Sequence, residues 1–115
     1  MLWSDLLEAL DATVLVEGAD FAVDSVAAAD LLSDILATDK EDFVILTGQT
    51  SLPAVRTAQA VGALGVIVVR GKNVPAETVD LARDEGIPLA VTDSKMFEAC
   101  VTVGALLWSS PLSRS

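Results

Sequence analysis

Apolar and polar positions along the chain follow two rhythms. Trp3, Leu6, Leu7 and Leu10 recur at helical spacing, with Ser4, Asp5, Glu8 and Asp11 between them, which predicts a short amphipathic helix over 3–11. Thr13 to Val16 reads as a strand closed by a turn at Glu17-Gly18. Phe21 to Ala28 alternates weakly and predicts a further strand. Asp30 then stands where a helix over Leu31–Ala37 would take its N-cap.

From Phe43 the rhythm becomes regular. Phe43 to Leu46, Val66 to Val69 and Pro88 to Val91 are unbroken apolar runs, the pattern of strands covered on both faces. Between them, Pro53 fits the first turn of a helix capped at Ser51 or Leu52 and running to about Gly62. Pro75 opens a second helix over Ala76–Glu85, which Gly86 ends. Thr92-Asp93-Ser94 leads into a last helix over Lys95–Leu107. Strand and helix alternating through short loops predicts right-handed βαβ units, hence an α/β fold with a small, mostly parallel sheet and helices on both faces.

A length of 115 residues fits one domain, here 1–108, followed by a polar, Pro-broken tail over 109–115. The chain is 52% apolar, with the excess in Ala, Val and Leu, which suits buried strands and leaves apolar surface for a subunit interface. Its net charge is -10, from 17 acidic and 7 basic residues, so it repels a phosphate backbone or an anionic bilayer. Neither nucleic acid nor membrane is expected as a partner. The start, Met-Leu-Trp-Ser-Asp, lacks a basic signal-type region, and the longest apolar run, Ala99 to Trp108, falls short of the roughly 20 residues of a membrane span. A cytoplasmic location is expected.

The missing residue types exclude chemistry. There is no His, hence no imidazole base or ligand, and the single Cys100 forms neither an intramolecular disulfide nor a thiolate zinc site. Cys100 lies among Ala99, Val101 and Val103 and is read as an inert core thiol. A Walker A loop fails: Gly65 to Gly71 is one residue too long and spans a strand, and Asn73 follows Lys72. No catalytic residue, metal site or cofactor is expected.

The chain resembles the DRTGG domain family. The likeness is carried by Ala-Asp-Leu-Leu-Ser-Asp (Ala29 to Asp34), by the order from Phe43 through Ala-Leu-Gly-Val-Ile-Val-Val (Ala63 to Val69), by Val74 to Pro88, and by Thr-Asp-Ser at Thr92 with its following helix. It extends from about Trp3 to Leu107. Members stand alone, or lie inside phosphotransacetylases and between the CBS domains of some pyrophosphatases, and a related domain precedes the catalytic part of HPr kinase/phosphorylase. The resemblance therefore implies a regulatory or dimer-forming module without catalysis. The chain departs from the family at its namesake turns: Arg70-Gly71-Lys72 stands where a Thr-Gly-Gly turn would be expected, and Thr47-Gly48-Gln49 where a Gly-Asp-Arg-like turn would.

Ligands of open α/β sheets gather at the carboxyl ends of the strands. Three loops are expected there. Thr47-Gly48-Gln49-Thr50-Ser51 either cradles a phosphate or carboxylate or caps its helix. Arg70-Gly71-Lys72-Asn73 holds two of the seven basic residues, and either draws an anion or forms a plain turn in which Gly71 supplies positive φ. Thr92-Asp93-Ser94 caps the last helix, with Glu98 facing it, or joins the same rim. Asp30 and Ser33 approach this rim unless Asp30 serves only as a cap. The expected function is a non-catalytic regulatory module that binds a small anionic ligand, a nucleotide or phosphorylated metabolite. The alternatives are a protein-interaction adaptor and a small enzyme using Asp30, Asp34 and Asp93.

Met96, Phe97, Ala99, Cys100, Val101, Val103, Ala105, Leu106, Leu107 and Trp108 cover nearly every face of the last helix. Such a helix is either enclosed by its own domain or meets a second subunit. A homodimer is expected, with Trp3 and Trp108 as contact residues or as the last pieces of the monomer core.

Overall fold

Successive residues of the apolar runs feed two different cores. Val44 and Leu46 point into one and Phe43 and Ile45 into the other; Ile67 and Val69 alternate in the same way with Val66 and Val68. That division is what a strand with helices on both faces requires, and it explains why these runs carry no polar residue. Burying a side chain as fully as Phe43 contributes about 1.5–3 kcal/mol, and each of these apolar runs buries several in succession.

The structure is a computed structural model describing residues 1–108; the expected tail, 109–115, lies outside the described residues. The elements follow as α1 (Trp3–Ala9), β1 (Thr13–Val16), β2 (Val26–Ala28), α2 (Leu32–Leu36), β3 (Val44–Thr47), α3 (Leu52–Val61), β4 (Gly65–Val68), α4 (Ala76–Asp84), β5 (Leu89–Val91) and α5 (Met96–Leu107). They build one five-stranded sheet in the order β1-β5-β4-β3-β2. β2 to β5 run parallel, and β1 joins β5 antiparallel. The α/β expectation holds, with one reversed edge strand. Residues of α1 and α5 pack into the first core and residues of α2, α3 and α4 into the second.

Two elements are shorter than their sequence patterns. The strand expected over Phe21–Ala28 is confined to Val26–Ala28, because the stretch before it bonds to the chain start instead. Trp3 N donates to Phe21 O, Val23 N to Met1 O, and Leu2 pairs with Ala22 in an isolated bridge. The first helix stops at Ala9 rather than Asp11, since Asp11 takes a left-handed φ of 49° and Ala12 N bonds back to Leu7 O.

Trp3 belongs to the core. It is buried, stacks on Phe21 with ring centroids 5.2 Å apart, and lies so near Gly65 that a Cβ there would come within 2.9 Å of its ring. Of its two expected roles, completing the monomer is the one observed.

Candidate functional site

The parallel strands end in register. Ala28 pairs with Leu46, Thr47 with Val68, and Val68 with Val91, so the segments that follow β2, β3, β4 and β5 emerge side by side along one sheet edge. Hydrogen bonds knit three of these turns together: Val69 N donates to Thr47 O, Arg70 N to Ser94 O, and Gly71 N to Thr92 O.

Asp30 follows the outermost strand, β2, and its side chain reaches inward over the turns after β3 and β4. Its carboxylate accepts Gly48 N–H at Oδ1 (2.8 Å) and Arg70 Nη2 at Oδ2 (3.0 Å), while Gln49 Nε2 donates to its backbone oxygen at 2.7 Å. The expected N-cap role is not what it performs. Leu31 holds the N-cap position of α2, with no side-chain cap bond, because the Asp30 carboxylate is turned away to the β3 and β4 turns. Arg70 and Asp30 form an ion pair with side chains 41% and 46% exposed, a setting in which such a pair contributes at most about 1 kcal/mol.

Lys72 completes the group by donating from Nζ to Gly48 O at 2.9 Å. Gly48 thus uses both backbone groups on residues from other turns. A Cβ at Gly48 would overlap Arg70 Nη2 and stand 2.9 Å from Asp30 Oδ1, so glycine is what lets the guanidinium lie on the backbone. Arg70 itself adopts φ 70° and Gly71 φ 58°. The expected positive φ at Gly71 is present; the one at Arg70 has no signal in the sequence, since non-glycine residues rarely adopt it. A Cβ at Gly71 would lie 2.6 Å from Asp93 Oδ1, which puts that carboxylate directly over the turn.

The other rim residues divide into those that shape the turns and those outside the bonded group. Thr47 is buried and its Oγ1 accepts Gln49 N–H at 3.1 Å. Thr92 Oγ1 donates to Leu10 O at 2.6 Å, tying the β5 turn to the end of α1, and accepts Ser94 N–H at 3.3 Å. The cap expected at Thr92-Asp93-Ser94 falls instead at Lys95, without a side-chain cap bond. Ser51 occupies the N-cap of α3, again without such a bond, so capping by its hydroxyl does not account for it. Ser33, Thr50 and Asn73 take no part in the bonded group. Ser33 sits exposed on α2, Asn73 is exposed and Thr50 half-buried.

A second feature lies along α5. Ala99, Val103 and Gly104 are buried, whereas Phe97, Val101 and Trp108 are 74%, 56% and 64% exposed. Phe97, Cys100, Val101, Gly104, Ala105 and Trp108 line an open apolar groove of about 500 Å³. The helix is therefore not enclosed by its own domain. Cys100 is half-buried, packing against the first core while also lining the groove, and burial pushes its thiol pKa up. Among the described residues, no helix is long and apolar enough to cross a membrane.

No protein-family model and no curated protein matches the chain. One solved structure similar to it holds the CBS and DRTGG domains of the regulatory region of a Clostridium perfringens pyrophosphatase, complexed with its activator, diadenosine tetraphosphate. The match has a TM-score of 0.69 at 16% identity and covers 96% of this chain and 48% of that one. The chain thus spans about half the length of its neighbour, a regulatory region rather than a catalytic one. At this identity the likeness concerns the fold, and the fold it supports is DRTGG-like.

Proposed function

We propose that this chain is a non-catalytic, cytoplasmic regulatory module that binds a small anionic ligand, a nucleotide or phosphorylated metabolite, at the rim of Asp30, Gly48, Arg70 and Lys72. The observation that carries this reading is the convergence of a guanidinium, an ammonium and a glycine N–H on one sheet edge of an acidic protein. A planar fork, a point charge and a backbone donor form the donor set that phosphates favour. The nucleotide activator held by the regulatory pyrophosphatase region supports the same class of ligand here.

A thermal-shift series with ATP, diadenosine tetraphosphate and inorganic pyrophosphate tests it. A ligand present at about 100 times its Kd stabilises by about 2.7 kcal/mol, or several degrees. The shift is expected in the wild type and lost in the Arg70→Ala/Lys72→Ala double variant. No shift with any of the three in the wild type contradicts the reading.

The module works as a homodimer through α5. The lining of its groove carries no charge, so two copies, each at -10, meet there without placing like charges face to face. The same groove favours a second reading, a protein-interaction adaptor with an empty rim. A monomeric mass in solution, together with no response to the three phosphates, would select the adaptor.

A further inference from the structure

The anion seat on Gly48 N–H and Arg70 is already taken, and the occupant is the chain's own Asp30. We propose that Asp30 is an internal competitor: a phosphate group binds by displacing its carboxylate, and the displacement releases the β2–α2 segment. This rests on the rim being the anion site. Each carboxylate oxygen receives one donor, Oδ1 from the Gly48 amide and Oδ2 from the guanidinium, an arrangement two phosphate oxygens reproduce. The Arg70–Asp30 pair is nearly half exposed, so an incoming anion reaches the guanidinium directly, and it reaches the amide of the buried Gly48 by taking the place of the carboxylate that now covers it. Lys72 stands on the other side of the same residue, at Gly48 O, and turns to the phosphate once it arrives.

The segment that Asp30 holds is built to respond. α2 has five residues, and Leu31 and Leu36 on either end of it are 63% and 55% exposed. β2 has three residues at an open edge of the sheet. Asp30 joins the two and carries three of the bonds that tie them to the β3 and β4 turns. Replacing its carboxylate removes two of those bonds and leaves Ile35 as the buried anchor of α2. Anion occupancy is thereby converted into mobility of an exposed apolar segment, the output a regulatory module needs.

Calorimetric titration of inorganic pyrophosphate into the full chain tests this, with Asp30→Ala, Asp30→Asn and Asp30→Ala/Arg70→Ala compared against wild type. Asp30→Ala is expected to bind tighter, by up to about fivefold, the effect of removing a competitor of this strength. Asp30→Asn, which retains an oxygen for the Gly48 amide, falls between it and the wild type, and the double variant loses binding. Should Asp30→Ala lose its fold by circular dichroism, tighter binding by Asp30→Asn supports the displacement equally. Binding by the wild type that neither single variant strengthens overturns the displacement and leaves the rim reading intact. No binding by wild type or either single variant removes both. Amide exchange at Leu32–Leu36 is expected to accelerate when pyrophosphate binds the wild type; unchanged exchange on binding overturns the release of α2.

Discussion

Asp30 and Arg70, forty positions apart in the chain, meet at 3.0 Å across the backbone of Gly48. The first follows β2 and the second follows β4, and β3 lies between them in the sheet. Their meeting is therefore a consequence of parallel strands ending in register, and it brings an acidic residue, a basic residue and a glycine to one point. Substitutions at this point separate effects on stability from effects on binding.

Gly48→Ala and Gly71→Ala should fail in different ways. At Gly48 the added Cβ meets the tips of the Arg70 and Asp30 side chains, which swing aside. The cost is the exposed pair, about 1 kcal/mol or less, while the seat on the backbone is lost. At Gly71 the backbone has φ 58° and the Cβ meets the Asp93 carboxylate, so about 1–2 kcal/mol of stability goes whatever the side chains do. Urea unfolding should show the larger loss in Gly71→Ala, and pyrophosphate titration the larger loss in Gly48→Ala.

Thr92→Val should destabilise the chain by about 1–3 kcal/mol. The buried hydroxyl donates to Leu10 O, and valine leaves that carbonyl without its partner. Denaturant midpoints at unchanged slope are the measurement.

Asp20 accepts Ser4 Oγ–H at 2.6 Å, Ser4 N–H at 3.0 Å and Phe21 N–H at 3.0 Å. The Ser4 hydroxyl, then the Ser4 amide, hold its carboxyl below the usual carboxylate range. A depressed carboxyl stabilises the fold above its unfolded pKa of 3.8, and that contribution is lost as the pH falls through the lower folded value. Melting temperature should therefore fall with acid more steeply in the wild type than in Asp20→Asn below about pH 4. Parallel curves would show that these bonds do not stabilise the charged form.

Val101→Glu places a charge in the middle of the α5 groove at a position already 56% exposed. The monomer should lose no more than about 0.5 kcal/mol, as exposed substitutions do, whereas a homodimer joined there should dissociate. Light scattering on wild type and variant at equal concentration reads the difference. An unchanged mass would remove α5 from the interface.

The parallel core was legible because β3, β4 and β5 are buried on both faces, which leaves an uninterrupted apolar run, and because Pro53, Pro75 and Gly86 punctuate the helices between them. The gathering of the strand-end turns followed from that topology. What the pattern misjudged was set by distant partners. Asp30 precedes a helix and reads locally as a cap, yet its carboxylate goes to Gly48 and Arg70, neither of which is near in sequence. Likewise, Phe21 to Val23 carry strand-like residues but bond to Met1, Leu2 and Trp3, a choice no short window displays. The left-handed Arg70 is imposed by bonds from its turn to Ser94 and Thr92.

Recording 15N–1H correlation spectra of the full chain during titration with ATP tests the anion-binding rim most directly. The largest shifts are expected at the amides of Gly48, Gln49, Arg70, Gly71 and Lys72. Largest shifts along α5, at Val101 and its neighbours, or a spectrum that ATP leaves unchanged, would contradict it.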